Sequence, residues 1–208
     1  MNRVRTVGVI TDSLYLCGYA SVHQDNIDYF NITCVINVTE EFESKHFESV
    51  ENVRIEIRDT SSANLKQYFE STSEKIDEVA RTGGRCMIHC VAGVSRSASL
   101  CIAYLMKKRN MTLREAFNVV KSAREVIAPN TGFWRQLISY EFELYNANTV
   151  EIWPLSVGEF ADVDKVDCII KRHVINNWLY DVNYFGFFII LFLLLCIDVI
   201  SAIFTWYQ

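Results

Sequence analysis

Residues 86–109 constrain the fold more than any other stretch of this 208-residue chain. Cys86-Met87-Ile88 reads as a short apolar strand, Cys90 to Arg96 as a loop, and Ser97 to Arg109 as a helix with Leu100, Ala103 and Tyr104 able to face a core. A strand that passes through a short loop into a helix belongs in an α/β layer arrangement. The loop also ends at a helix N-terminus, where backbone N–H groups lack intrahelical partners and the helix dipole is positive. Val91, Ala92, Gly93, Val94 and Ser95 would therefore line a nest of amides suited to a phosphate dianion. Gly93 permits the backbone turn such a nest needs. Arg96 adds a planar fork able to hold two phosphate oxygens.

Cys90 lies at the mouth of this nest. A thiol beside a helix N-terminus and an arginine has its pKa lowered, so its thiolate is a nucleophile without help from a general base. His89 is placed to orient the loop by hydrogen bonding. Ser97 can donate its hydroxyl to Cys90 and help the sulfur leave in a second step. Attack on a phosphate ester by sulfur gives a phosphocysteine, and the departing oxygen then needs a proton from a carboxylic acid. Asp59, in the loop Arg58-Asp59-Thr60-Ser61-Ser62 after a strand, is the first choice for that acid. Glu40 and Glu41, also after a strand, are weaker alternatives. The chemistry calls for no cofactor and no metal.

The rest of residues 1–147 alternates strand and helix patterns. Val4–Ile10 and Ser13–Cys17 read as a strand pair around Thr11-Asp12, and Asp25–Phe30 as a short helix. Cys34–Val38 and Val53–Arg58 read as strands, and Leu65–Arg81 as a helix stopped at Gly83-Gly84. Thr112-x-x-Glu115 is a capping box that opens a helix running to about Arg124. Gly132 to Tyr145 reads as a final helix. Strands alternating with helices predict an α/β sandwich with a mainly parallel central sheet.

Composition narrows the partners. The formal net charge of -5 gives no support to nucleic-acid binding, which leaves a basic footprint. The seven cysteines are scattered, with no CxxC pair, so neither zinc nor a disulfide framework is expected. Residues 148–183 read as a polar, mixed connector. Residues 184–207 contain one charge, Asp198, and fifteen residues drawn from Leu, Ile, Val and Phe. A helix of that length crosses a hydrocarbon core of roughly 30 Å. Its apolar residues favour insertion by up to about 6 kcal/mol, against at most about 3 kcal/mol for Asp198. This stretch is expected to be a C-terminal hydrophobic helix that anchors the protein in a membrane, with the preceding domain in the cytoplasm and Lys171-Arg172-His173 flanking the membrane on that side.

The run His89-Cys90-Val91-Ala92-Gly93-Val94-Ser95-Arg96-Ser97-Ala98 resembles the catalytic loop of the protein tyrosine phosphatase superfamily, and its dual-specificity branch in particular. The resemblance spans roughly residues 3–146. Val9 to Leu16 is similar to the family's opening strand pair, Asp59 with Tyr68-Phe69 to its general-acid loop, and Ala103-Tyr104-Leu105-Met106 to the helix after the catalytic loop. Ala116-Phe117, Val120-Lys121, Arg124, Ile127, Pro129-Asn130 and Gly132-Phe133 follow its C-terminal helices. The resemblance implies an atypical dual-specificity phosphatase. Cys90 would be its nucleophile and Arg96 its phosphate clamp. Asp59 would be the acid that protonates the leaving group and then activates water. The loop carries no lysine and, before Arg96, no arginine, unlike the inositol-lipid members, so phosphoproteins are the expected substrates.

Overall fold

The computed structural model describes residues 7–155 and 158–163. In β2 (Leu14–Gly18) every residue is buried, because the strand is covered on both faces. Leu14 and Leu16 join one apolar cluster, and Tyr15 and Cys17 the other. The same period of two runs through β3 (Cys34–Asn37) and β5 (Cys86–Cys90). Cys34, Ile36, Cys86 and Ile88 face the larger cluster, and Val35 and Met87 the smaller.

With β1 (Gly8–Thr11) and β4 (Glu51–Arg54), these strands form a five-stranded sheet in the order β1-β2-β5-β3-β4. The four strands from β2 to β4 are parallel, and β1 pairs antiparallel with β2 at one edge. The larger cluster takes residues from α2 (Phe69–Arg81), α3 (Arg96–Arg109), α4 (Leu113–Ala123) and α5 (Thr131–Tyr145). Ile27 of α1 (Gln24–Phe30) lies in the smaller one. The expected α/β sandwich with a mainly parallel sheet is what forms. Helix α3 is buried continuously from Arg96 to Met106, because α2, α4 and α5 surround it. Helix α4 has one apolar stripe, and its Thr112/Glu115 capping box is present.

Two stretches differ from expectation. The strand expected over Val53–Arg58 stops pairing at Arg54, apart from one further bond from Ile55 N to Asn37 O at 2.8 Å. Its neighbour β3 ends at Asn37 and leaves no ladder to continue. Ile55 and Ile57 nevertheless alternate into the core, which is the periodicity the sequence shows.

In the stretch read as a polar connector, β6 (Ile152–Leu155) and β7 (Gly158–Ala161) form an antiparallel hairpin. Val150, Ala161 and Val163 are buried in the larger cluster. Arg114 ties this region to α4, donating from Nε to Thr149 O at 2.9 Å and from Nη2 to Asp162 Oδ2 at 2.5 Å. A short hairpin with charged neighbours and Pro154 carries little pattern, so its pairing was not legible. The hydrophobic helix expected over residues 184–207 lies outside the described residues. Among the described residues no helix is long and apolar enough to cross a membrane.

Parallel pairing puts the C-terminal ends of β2, β3, β4 and β5 on one edge of the sheet, the edge where α/β proteins bind ligands. Tyr19, the loop from Val38 to Lys45, the segment from Ile55 to Asp59 and the loop after Cys90 follow those four strands.

Candidate active site

Cys90 ends the central strand and is 2% exposed. Its Sγ accepts hydrogen bonds from Gly93 N and Ser97 Oγ, each at 3.2 Å. Burial pushes the thiol pKa up. The Ser97 hydroxyl and the backbone N–H groups of Ser97, Val94 and Gly93 outweigh burial and leave it below the ordinary thiol value.

The loop turns its amides inward because its carbonyls are held outward. Val91 O accepts from Tyr19 N at 3.0 Å and Val94 O from Ala128 N at 2.9 Å. Arg124 donates from Nη2 to Ala92 O and from Nε to Gly93 O, both at 2.8 Å. Ser95 O takes the N–H and the hydroxyl of Ser99. Each carbonyl from Val91 to Ser95 thus has a donor, and the peptide planes cannot rotate freely. Gly93 sits at φ 68°, and a Cβ there would lie 2.4 Å from Cys17 O, so no other residue fits this turn.

Arg96 opens α3 and is almost wholly buried. Its Nη1 donates to Glu41 Oε2 at 2.7 Å and to Ile57 O at 2.9 Å. Its Nε lies 3.6 Å from Asp59 Oδ2 and has no hydrogen-bond partner among the described residues. The Arg96 guanidinium, helped by loop amides, holds the Glu41 carboxyl below the usual carboxylate range against a smaller upward push from burial. Glu41 reaches Arg96 because its loop is folded on itself: Asn37 Nδ2 donates to Phe42 O, and Thr39 Oγ1 to Asn37 Oδ1, each at 2.8 Å. Glu40 pairs instead with Arg58, 2.7 Å away.

Asp59 Oδ1 accepts from Ser95 Oγ and from Asn130 Nδ2, both at 2.8 Å. His89 is buried, with Nδ1 3.3 Å from Cys90 O. Burial pushes the imidazole pKa down to about 4, so the ring is neutral. A carbonyl can only accept, so Nδ1 carries the hydrogen.

The structure therefore brings His89, Cys90, Val91 to Ser95, Arg96, Ser97 and Asp59 together, as the sequence reading required. It places Glu41, weighed in the sequence as a weaker alternative acid, on Arg96, and adds Arg124 and Asn130, to which that reading assigned no role. Arg124 and Asn130 flank Pro129 far along the chain, and only the fold carries them to the loop. Asn130 caps α5 through Phe133 N and bonds Asp59, and neither contact carries a signal that the sequence reading had used.

Comparison with known proteins places the chain in a family. The family described as "Dual specificity phosphatase, catalytic domain" matches residues 14–143. Mouse dual specificity protein phosphatase 14 is 42% identical over 174 residues, 83% of this chain and 86% of that protein. Mouse dual specificity protein phosphatase 18 is 39% identical over 161 residues, 77% of this chain and 86% of that protein. The crystal structure of human DUSP28 superposes with a TM-score of 0.64 at 34% identity, covering 67% of this chain and 95% of that one. With the matched region enclosing the whole loop from His89 to Ser97, the chain belongs to the dual specificity phosphatase family.

Proposed function

We propose that this protein hydrolyses phosphotyrosine and phosphoserine/threonine in proteins through a phosphocysteine at Cys90. The observation that carries the reading is the Cys90 sulfur seated under Gly93 N and Ser97 Oγ, with its pKa lowered, at the floor of an amide-lined loop. The Cys90 thiolate attacks phosphorus while the ester P–O bond breaks. The loop amides of Val91 to Ser95 and the Arg96 fork hold the non-bridging oxygens as charge redistributes. Asp59 gives its proton to the departing oxygen. In the second step the Asp59 carboxylate takes a proton from water, whose oxygen attacks phosphorus. The P–S bond breaks, and the Ser97 hydroxyl stabilises the leaving thiolate. His89 holds the end of β5 through Cys90 O. A loop without basic side chains before Arg96 suits a single phosphate more than a polyanionic headgroup, and the similar proteins are named protein phosphatases.

The test is hydrolysis of phosphotyrosine and phosphothreonine peptides beside phosphoinositides. Cys90→Ser should lower kcat by on the order of 10⁴ or more. A Cys90→Ser variant with wild-type activity would sink the mechanism, and a preference for the lipids would move the substrate class. Membrane attachment through residues 184–207 rests on their composition alone. Full-length protein should stay with the membrane fraction in alkaline carbonate. Release into the supernatant would remove the anchor from this reading.

A further inference from the structure

Asn130 meets the catalytic edge from α5, 71 residues along the chain from Asp59. Its side chain has two tasks. Asn130 Oδ1 accepts from Phe133 N at 3.0 Å and caps α5. With the amide oxygen committed to an N–H donor, the amide nitrogen must face the other way, and it donates to Asp59 Oδ1 at 2.8 Å. Ser95, from the phosphate loop, donates its hydroxyl to the same oxygen at 2.8 Å and accepts from Asn130 N at 3.2 Å. One carboxylate oxygen is thus held by two donors that come from two different elements.

The rest of the acid loop is fastened to the same helix. Lys66 N donates to Gln136 Oε1 at 2.7 Å, and Gln136 Nε2 donates to Ala63 O at 2.8 Å. A Cβ on Gly132 would lie 2.0 Å from Ser61 O, so the loop backbone rests directly on the first turn of α5. Both donors occupy Oδ1 and leave Oδ2, which lies 3.6 Å from Arg96 Nε on the phosphate side. A carboxyl proton on Oδ1 would point at two hydrogens, whereas on Oδ2 it points into the cradle.

We infer that Asn130, with Ser95, is a positioning residue that fixes Asp59 so that Oδ2 carries the proton given to the leaving oxygen. This rests on the reading of Asp59 as general acid. Help from a general acid matters most when the leaving alcohol is poor and least when it is good. Misplacing the acid should therefore steepen the dependence of rate on leaving group, which a general loss of folding would not do.

The experiment compares para-nitrophenyl phosphate with phenyl phosphate and a phosphotyrosine peptide, using the full chain in detergent. Asn130→Ser keeps a helix-capping oxygen but removes the amide donor. It should slow the two poor leaving groups about tenfold and para-nitrophenyl phosphate less than about twofold, a fraction of the whole acid contribution. In an Asp59→Asn background, Asn130→Ser should add nothing further. Equal losses on all three substrates, or a full additional loss in the Asp59→Asn background, would overturn the positioning role. If Asp59→Asn alone hydrolyses phenyl phosphate at the wild-type rate, the acid lies elsewhere and the inference falls with that reading.

Discussion

Ser97→Ala deletes one oxygen from a buried site and should act almost wholly through the Cys90 sulfur. The hydroxyl donates to Sγ at 3.2 Å, and it is the largest of the contributions that lower the thiol pKa against burial. A hydrogen bond to an ionised group contributes about 1.5–3 kcal/mol, and the low end applies to a sulfur acceptor at this distance. About 1.4 kcal/mol is tenfold in an equilibrium. Below the midpoint of the thiol titration, the thiolate population should therefore fall about tenfold, and the midpoint should move to higher pH. Alkylation by iodoacetate reads this directly, because only the thiolate reacts. Its rate against pH should shift to the alkaline side in Ser97→Ala and reach a similar plateau. The acid limb of kcat/KM should follow it. The kcat for phosphocysteine breakdown should drop at every pH, since the leaving thiolate has lost a donor. Stability has the same sign. The folded thiol binds fewer protons than the unfolded one, so this contribution is full above the unfolded pKa and lost as pH falls through the folded one. The wild-type advantage over Ser97→Ala should accordingly be largest in alkaline buffer. An unchanged alkylation profile, or a shift to lower pH, would refute the assignment of Ser97 as the stabilising donor.

Gly93→Ala should destabilise the protein by about 2 kcal/mol or more in urea titrations and abolish vanadate binding, because φ 68° and the 2.4 Å approach to Cys17 O leave no room for a Cβ. Glu141 is buried and accepts from Leu113 N at 2.7 Å, Thr149 N at 2.8 Å and Thr149 Oγ1 at 2.6 Å, so it joins α5 to α4 and to the chain entering the hairpin. Glu141→Ala should cost about 3–5 kcal/mol by leaving those donors unpaired, with thermal unfolding as the measurement. His89, pushed down to about 4 by burial from an ordinary 6.5, takes a proton in the unfolded chain before it does in the fold. Stability should decline as pH falls from 6.5 towards 4, and His89→Asn should flatten that decline in urea midpoints measured across the window.

Much of the site was legible because it is local. Strand, loop, glycine, arginine and helix start follow one another between Cys86 and Ser97, and each has its own signal in residue type. The sheet was legible for a related reason. The continuous apolar runs Leu14–Cys17, Cys34–Ile36 and Cys86–Ile88 mark strands covered on both faces whichever strands become neighbours. The end of β4 was misplaced because Ile55 and Ile57 keep alternating after their pairing partner has run out. The hairpin of Ile152–Leu155 and Gly158–Ala161 was missed because two four-residue strands carry almost no period.

What the sequence alone determined was the chemistry proposed for Cys90, since the candidate nucleophile, the amide loop and Arg96 lie within one segment and need no distant contact. Only the tertiary structure decided how that segment is held and aimed. Glu41 comes to Arg96 from the end of β3, and Arg124 turns the Ala92 and Gly93 carbonyls outward from beyond α4. Asn130 reaches Asp59 from the start of α5. These residues act across gaps of tens of positions, where charge and capacity for hydrogen bonding leave no periodic trace. Their partners exist only once β2, β3, β4 and β5 have ended at one edge of the sheet.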